Sequence, residues 1–352
     1  MHMADALISP AVGGVMWAAT AGIIVHCSRR LRDGFDSLQV PLMGVLAAFI
    51  FAAQMINFTI PATGSSGHLG GGLILAVLLG PHAAFLAIAS VLTVQALFFA
   101  DGGLLALGCN IFNLGVFPCF IAYPFIYRKI VGDAPSRGRI LAGSLAAAVI
   151  GLQLGAFGVV LETVASGISE LPFSTFVLLM QPIHLAIGVV EGLVTAAVVG
   201  FVANARPEIL AMASGGTAPA GVSLRKVLAG LAVAAVLTGG VLSWFASAYP
   251  DGLEWSMAGV SGKEELEAPE HGIHETLSSL QHKTAFLPDY GFRSAEPEAA
   301  AGSEAPGAAA EAAPAWPAVD AGTSVSGLVG GALTLLLAGL AGLLLKRRAK
   351  SA

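Results

Sequence analysis

The sequence predicts an all-α polytopic membrane protein. Of its 352 residues, 56% are hydrophobic and only 11% are charged, whereas soluble domains carry roughly 25% charged residues. The apolar residues also fall into long runs, and about 20 consecutive apolar residues suffice to cross the hydrocarbon core as a helix. Composition and pattern together therefore exclude an ordinary soluble domain.

Nine apolar stretches are the predicted membrane elements. They cover roughly residues 10–27, 38–58, 69–80, 81–100, 104–128, 139–164, 173–203, 224–247 and 325–345. The third stretch is too short to span as a straight helix. We therefore expect a re-entrant or broken element there, which a bilayer tolerates only where its backbone faces protein or a polar cavity.

The basic residues predict the orientation of these elements. With the amino-terminus outside, all of the 17 lysines and arginines except Lys263, Lys283 and Arg293 fall on the cytoplasmic side. Positive charges concentrate on that side of membrane proteins. An odd number of spans then places the carboxyl-terminus inside, and it puts Met1, His2 and the loop before His68 together outside.

Composition divides the chain into two units and a linker. Residues 1–205 form a compact unit of seven membrane segments, and residues 224–352 form a second unit with two. Residues 206–223 between them are rich in Pro, Gly, Ser and Ala, which is typical of a linker, here cytoplasmic. Residues 294–323 are an Ala/Pro/Glu low-complexity stretch that we expect to be largely disordered.

The amino-terminus offers an unusual set of metal ligands. We expect no cleavable leader, and we expect Met1 to be retained because bulky His2 follows it. The α-amine of Met1 and the amide nitrogen and imidazole of His2 would then close two adjacent chelate rings. A further nitrogen, such as that of His68, would complete four-coordinate square-planar binding, which is typical of Ni(II) or Cu(II).

Several polar side chains lie inside the predicted membrane segments, where ionisable groups need partners or a cavity. Asn110 and Asn113 share a helix face and either bond to other helices or support a metal-bound imidazole. Ser66, beside the His68 loop, is a third candidate for such support. His184 and Glu191 also share a face, and a structural or coupling role fits Glu191 better than metal binding.

Gly14, Ala18 and Gly22 form a stripe of small residues in the first segment. Small residues let two membrane helices approach closely. We expect the stripe to pack within this chain, and a surface for a partner subunit is the alternative.

Four separated motifs resemble the CbiM/NikM family, the substrate-binding membrane components of cobalt and nickel energy-coupling factor (ECF) transporters. They occur in order over about residues 1–205 and read MHMAD at 1–5, GHLGG at 67–71, DGGL through CNIFN at 101–113, and His184 through GVVEGL at 188–193. The second unit carries PDGLE at 250–254, the signature of the small accessory N component, so the chain resembles a fused M–N protein.

The resemblance implies a fold, a site and partners. It implies a seven-helix substrate-binding bundle, and it implies that Met1, His2 and His68 hold Ni(II) or Co(II) as the transported substrate. It also implies a transmembrane coupling subunit, cytoplasmic ATPase subunits and membrane lipid as partners, with no nucleic acid. The location would be a bacterial or archaeal inner membrane. The chain departs from the family at Met3-Ala4-Asp5, which weakens the inference from this end to nickel.

Three other functions stay open at this point. One is cobalt uptake for cobalamin biosynthesis by the same mechanism. The second is an intramembrane serine protease, with Ser66 of the GSSG sequence as nucleophile and His184 as its base. The third is a metal sensor, and the lack of a cytoplasmic output domain in the sequence argues against it. The chain also lacks a GxxxxGK[ST] phosphate loop, so we expect no ATP hydrolysis by this subunit and no enzymatic activity of its own.

Overall fold

The computed structural model describes residues 2–32, 38–132, 135–214, 216, 223–293 and 316–349, and most of them are helical. The helices are α1 (Pro10–Arg32), α2 (Gln39–Gln54), α3 (Gly72–Leu79), α4 (Pro81–Phe99), α5 (Leu107–Val131), α6 (Arg137–Ser166), α7 (Phe173–Ala205), α8 (Pro207–Ala213), α9 (Arg225–Gly240), α10 (Gly252–Ser261), α11 (Gly272–Thr284) and α12 (Ala321–Ala349). A hairpin of β1 (Phe58–Ile60) and β2 (Ser65–Gly67) pairs antiparallel, with Thr59 opposite Ser66.

Six of the described helices are long and apolar enough to cross a membrane: α1, α4, α5, α6, α7 and α12. The prediction of a polytopic, helical membrane protein is therefore confirmed. The other three predicted stretches form shorter helices. Helices α2 and α9 have 16 residues each, and α3 has eight, whereas a full crossing takes about 20.

Helix α3 is short because glycines bound it on both sides. It starts after Gly71 and ends at Gly80, and both have positive φ angles that glycine adopts without strain. Pro81 then starts α4 at a position where a proline is well tolerated. All eight residues of α3 are buried, so its termini face protein, as expected for a broken element.

The middle of α5, Phe112–Tyr127, is π-helical and contains Pro118 and Pro124. A proline has no amide hydrogen to donate to the preceding turn, so it disrupts the regular α-helical ladder. This stretch packs directly on the start of α3. A Cβ atom on Gly72 would lie 2.4 Å from the carbonyl oxygen of Leu114, so only glycine fits there.

The second unit packs along the first through small residues. Helix α12 lies against α2, where a Cβ atom on Gly330 would meet the ring of Phe51. Helix α9 meets α12 where Gly239 faces Gly327, and a Cβ on Gly239 would lie 3.0 Å from Cα of Gly327. The close approach of these backbones is the usual way in which membrane helices associate.

Two expectations differ from the structure. The predicted linker 206–223 begins with a helix, α8, whose Ile209 is buried and which packs on α3 and α7; residues 215 and 217–222 lie outside the described residues. Among the described residues, the stripe Gly14, Ala18 and Gly22 is exposed, and no atom beyond its own helix turn lies within 4 Å of a Cβ built on Gly14 or Gly22. In this part of the chain the stripe does not pack as expected, because α1 turns its other face toward α4 and α5.

The predicted disordered segment 294–323 is described only in part. Residues 294–315 lie outside the described residues. The remainder, residues 316–323, is held to the first turn after α9, where the amide of Ala318 donates to the carbonyl oxygen of Trp244 at 2.8 Å. Helix α12 begins at Ala321, slightly before the predicted span.

Candidate metal site

The two histidines singled out in the sequence meet at one end of the helical bundle. The rings of His2 and His68 are stacked, with centroids 5.0 Å apart and planes inclined by 16°. Both side chains are largely buried, at 7% and 9% exposure. Met1, the third predicted ligand, lies outside the described residues.

The segment that carries His2 is fixed by its backbone. The side chain of Asn110 makes two hydrogen bonds to Met3: its Oδ1 accepts from the amide nitrogen at 2.8 Å, and its Nδ2 donates to the carbonyl oxygen at 3.2 Å. The amide of Gly103 donates to the same carbonyl at 2.9 Å. Asn110 therefore acts on the backbone beside His2 and not on an imidazole.

A second anchor follows within two residues. The carboxylate of Asp5 accepts from the amide of Ala106 at 2.9 Å, and Met3 is fully buried. A Cβ on Gly103 would collide with the Asp5 carboxylate, so the DGGL loop needs glycine to receive the amino-terminal segment.

The loop that carries His68 is held by buried polar side chains from three helices. The Glu191 carboxylate of α7 accepts from the amides of Gly70 at 2.8 Å and Gly71 at 3.1 Å. Gln54 of α2 donates to the Gly70 carbonyl at 2.9 Å, and Gln95 of α4 donates to Gln54 at 3.0 Å. The loop amides and carbonyl are thus paired away from water, as buried backbone requires. Glu191 is a structural residue of this loop.

The imidazole of His68 has a defined protonation. Its Nδ1 lies 3.1 Å from the carbonyl oxygen of Leu69, so we assign the proton to Nδ1, which leaves the lone pair on Nε2. That Nε2 lies 3.9 Å from the carboxylate of Asp251. Burial lowers the pKa of His68 to about 3, so the ring is neutral at pH 7, the form that binds metals.

His2 is paired with a carboxylate. Its Nδ1 lies 2.8 Å from Oδ1 of Asp101, whose Oδ2 accepts a hydrogen bond of 2.5 Å from the hydroxyl of Tyr290. Burial alone would raise the pKa of Asp101, but its pairing with His2 lowers it to about 2. Nε2 of His2 is buried and has no hydrogen-bond partner among the described residues.

The second unit reaches the site through its PDGLE segment. Asp251 caps α10: its Oδ1 accepts from the amides of Leu253 at 2.7 Å and Glu254 at 2.9 Å, while the Glu254 carboxylate accepts from the Asp251 amide at 2.7 Å. This is a complete capping box. The other oxygen of Asp251 faces His68. Gly252 follows because a Cβ there would lie 3.2 Å from Cε1 of His184.

Further contacts join the second unit to the loops around the two histidines. The Ser66 hydroxyl donates to the Tyr249 carbonyl at 2.7 Å, and the Ser66 amide donates to the Pro250 carbonyl at 2.8 Å. On α11, Gln281 donates to the carbonyl oxygen of Gly102 at 2.8 Å, and Nε2 of buried His274 lies 2.9 Å from that of Ile8. The second unit thus covers both loops.

Three of the predicted site residues have other partners. Nδ2 of Asn113 donates to the carboxylate of Glu162 at 2.7 Å, so it supports α6 and not an imidazole. Nδ1 of His184 bonds the Met180 carbonyl at 2.8 Å, and its ring lines a cavity of about 10 Å³ with His68 and Asp251. Ser66 donates to backbone carbonyls and, within the described residues, forms no hydrogen bond with His184.

Asp101, Asp251, Tyr290 and Gln281 were not predicted as site residues. Asp101 and Asp251 appeared in the sequence only as members of motifs. The spacing of Asp251 and Glu254 could have indicated a helix start, but nothing in the sequence indicated which loop that helix would face. Within the described residues, no group of three or more His, Cys, Asp or Glu side chains is placed to hold a metal ion.

Comparison with known proteins identifies two family regions in the chain. The profile described as "Cobalt uptake substrate-specific transmembrane region" (CbiM) matches residues 2–209, and the PDGLE domain matches residues 225–347. A fused nickel transport protein of Rhodobacter capsulatus is 33% identical over 314 residues, which are 82% of this chain and 88% of that protein. A putative fused nickel transport protein of Archaeoglobus fulgidus is 36% identical over 66% of this chain and 75% of its own length.

A cobalt transport protein and a solved structure are also similar. The cobalt transport protein of Sorangium cellulosum is 31% identical over 60% of this chain and 94% of its own length. The crystal structure of a transition metal transporter is 30% identical, with a TM-score of 0.52, over 59% of this chain and 95% of that one. These relatives are metal transporters and not enzymes, which excludes the serine protease alternative.

Proposed function

We propose, from the premise that the chain belongs to the CbiM family, that it is the substrate-binding subunit of an ATP-driven ECF transporter for Ni(II). Its matches to the CbiM and PDGLE profiles and to nickel and cobalt transport proteins support metal transport. The spans make it a multi-pass membrane protein. The specific metal, the nitrogen site and the energy-coupling mechanism are the parts that we propose.

The proposed metal ligands are the α-amine of Met1, the amide nitrogen and Nδ1 of His2, and Nε2 of His68. The observation that carries this set is the meeting of His2 and His68, whose ring centroids are 5.0 Å apart. The backbone close to each histidine is held by a side chain from a helix: Asn110 bonds Met3, next to His2, and Glu191 bonds Gly70, two residues after His68. Fixed backbones place ligands with the accuracy that a metal site requires.

Metal entry would compete with Asp101. The six-membered chelate ring needs Nδ1 of His2, and that atom is now 2.8 Å from the Asp101 carboxylate. The metal therefore has to displace this contact, while the lone pair on Nε2 of His68 faces the site from the other side. Once displaced, the Asp101 carboxylate and that of Asp251 would remain close enough to offset the positive charge of the ion.

We assign the second unit the role of closing the site. Asp251 faces the proposed ligand His68, and Tyr290 bonds Asp101, which contacts the proposed ligand His2. The cover adds carboxylate and phenol groups but no nitrogen ligand in the described residues. It would thus retain a bound ion without determining the ligand geometry.

The proposed partners are a transmembrane coupling subunit and cytoplasmic ATPases, since this chain carries no phosphate loop. The exposed stripe Gly14, Ala18 and Gly22 on α1 supports the coupling subunit, because small residues allow a partner helix to approach closely. In the proposed orientation, seven segments of the first unit and two of the second place the amino-terminus outside and the carboxyl-terminus in the cytoplasm.

Nickel is the preferred substrate in this proposal for two reasons. Two relatives, which match 82% and 66% of this chain, are named as fused nickel transport proteins, the second of them putatively. Binding through a deprotonated amide and square-planar nitrogen ligands also suits Ni(II). Cobalt uptake is the second candidate because the Sorangium cellulosum relative is a cobalt transport protein.

Metal uptake by whole cells tests this function. Cells that produce the full chain with its coupling subunit and ATPases should accumulate nickel, and His68→Ala should reduce uptake to the level of cells without the chain. The matched control is His82→Ala. The ring of His82 contacts that of His26 in a tilted arrangement at the opposite end of the bundle. Equal uptake by the His68→Ala protein, or preferential uptake of cobalt, would contradict the proposal.

A further inference from the structure

A large cavity lies among the described residues, at the end of the bundle opposite the two histidines. Its volume is about 920 Å³, and it opens between the end of α5, the start of α6, and the end of α7 with α8. The basic residues Arg128, Lys129, Arg137, Arg139 and Arg206 cluster at this end. The metal-site proposal does not use this cavity.

The floor of the cavity is apolar and made of small side chains. Ala196, Ala197 and Gly200 of α7 lie on one helix face, and Val77 and Leu193 continue the floor toward the membrane interior. Among the described residues, no atom beyond the local helix turn lies within 4 Å of a Cβ built on Gly200. The apolar floor therefore leaves room for a hydrocarbon chain.

The mouth of the cavity is lined by hydrogen-bond donors. Arg128 and Arg137 line the cavity, together with Tyr123 and Tyr127. Within the described residues, neither arginine has an acidic side chain within 4 Å, and neither hydroxyl forms a hydrogen bond. Two positive charges and two hydroxyls are thus available to one anionic group.

We propose that this cavity binds one anionic phospholipid, with its phosphate at Arg128 and Arg137 and an acyl chain along the floor of α7. Basic pockets between membrane helices on the cytoplasmic side are suited to such headgroups, because the anionic lipids of that leaflet are attracted to lysine and arginine. Guanidinium groups also bond phosphate oxygens in pairs. A free phosphate ion would satisfy the mouth but leave the apolar floor without an occupant.

The position of the cavity distinguishes this lipid from a coupling subunit. Helix α1 carries the exposed stripe and packs on α4 and α5 through its other face, whereas the cavity is built by α6, α7 and α8 with the end of α5. The two surfaces are formed by different helices. The lipid inference therefore stands independently of the metal site and of the proposed partner subunit.

Native mass spectrometry of the full chain in a mild detergent tests this inference. The probes are dioleoylphosphatidylglycerol and the zwitterionic dioleoylphosphatidylcholine. We expect one phosphatidylglycerol molecule to bind about tenfold more tightly than phosphatidylcholine, and this preference to be lost in the double variant Arg128→Gln/Arg137→Gln. Arg225→Gln/Lys226→Gln, which removes two charges from the start of α9, is the matched control and should keep the preference.

A second pair of variants tests the acyl-chain part. Gly200→Leu fills the floor without a clash and should weaken phosphatidylglycerol binding, whereas Gly230→Leu fills similar open space on α9 and should not. Nickel binding should be unchanged in all four variants. Equal binding of the two lipids, no effect of the arginine substitutions, or no effect of Gly200→Leu would overturn the proposal. The proposal would also be overturned if the arginine variant retained lipid binding but no longer bound the coupling subunit, because the cavity would then be a protein-docking surface.

Discussion

The two histidine loops and the second unit that covers them are built differently. The loops are held from below by buried side chains of α2, α5 and α7, and each anchor bonds backbone amides or carbonyls directly. The cover reaches the first unit through its own side chains, such as Asp251, Tyr290 and Gln281, and through the Pro250 carbonyl, which accepts from the Ser66 amide. The first arrangement fixes the backbone beside each histidine, and we expect the second to affect the ligand geometry less.

Because of this difference, we expect substitutions below the histidine loops to cost more binding free energy than substitutions in the cover. Loss of a backbone anchor below the loops leaves buried amides unpaired, which costs about 1–3 kcal/mol for each group. Loss of a contact in the cover leaves a partner such as the Asp101 carboxylate, whose side chain is 22% exposed and can bond to water instead. Changes below the loops should therefore reduce metal affinity strongly, and changes in the cover should reduce it weakly.

The largest expected effect comes from acid. A metal at the proposed site displaces the proton of the α-amine, whose ordinary pKa is roughly 7.7–8.0, as well as that of the amide. Burial keeps the pKa of His68 at about 3, so this ring does not take up a proton at pH 5 and adds nothing to the loss. Nickel affinity should thus fall at least about 100-fold between pH 7.5 and pH 5, measured by competition with a chelator of known pH dependence. Equal affinity at the two values would rule out the amine as a ligand.

Glu191→Ala should come next. The amides of Gly70 and Gly71 lose their common acceptor, so the loop of His68 shifts, and we expect nickel affinity to fall about 10–100-fold. Glu191→Gln keeps one acceptor oxygen and should lose less. Isothermal titration measures both.

Glu162→Ala is the matched control for Glu191. It removes another buried carboxylate, which bonds Asn113 and not the His68 loop, so it should leave nickel affinity unchanged even where it lowers thermal stability. A greater loss of affinity in Glu162→Ala than in Glu191→Ala would contradict the assignment of Glu191 to the loop.

Asn110→Ala and Asn113→Ala separate two residues that the sequence could not distinguish. Asn110 makes two hydrogen bonds to Met3, and its loss should reduce nickel affinity about tenfold. Asn113 bonds Glu162, and its loss should leave affinity within about twofold. Titration of both variants with nickel checks this. Equal losses of affinity would show that the two hydrogen bonds of Asn110 to Met3 do not position the site.

The smallest effect is expected in the cover. Tyr290→Phe removes the hydrogen bond to Asp101 but no ligand, and it should change nickel affinity by at most about threefold, chiefly through faster dissociation. Tyr249→Phe, at an exposed tyrosine, is the control. Stopped-flow chelation of the loaded protein measures the rate. A loss as large as that of Glu191→Ala would mean that the cover, too, fixes the ligand geometry.

The sequence predicted the helical membrane class and the pairing of His2 with His68, because apolar length and charge distribution act over whole segments. It did not predict the role of Glu191 as a loop anchor or the approach of Asp251 to His68. Both depend on which loop faces which helix, and hydrophobic periodicity carries no such information. Three of the nine predicted stretches form short helices, and one of them, α3, is short because Gly71, Gly80 and Pro81 interrupt an otherwise continuous apolar run.

Nickel binding by a chain extended at its amino-terminus tests the central claim most directly. Two glycines placed ahead of Met1 separate the amine from His2. Two are needed, since a single glycine would put the histidine at position three and create a new amine, amide and imidazole site. The control carries two glycines after Gly262, in a turn of the second unit. We expect the extended chain alone to lose tight Ni(II) binding. Intact mass confirms where each chain begins. Unchanged binding by the extended chain would contradict an amino-terminal metal site.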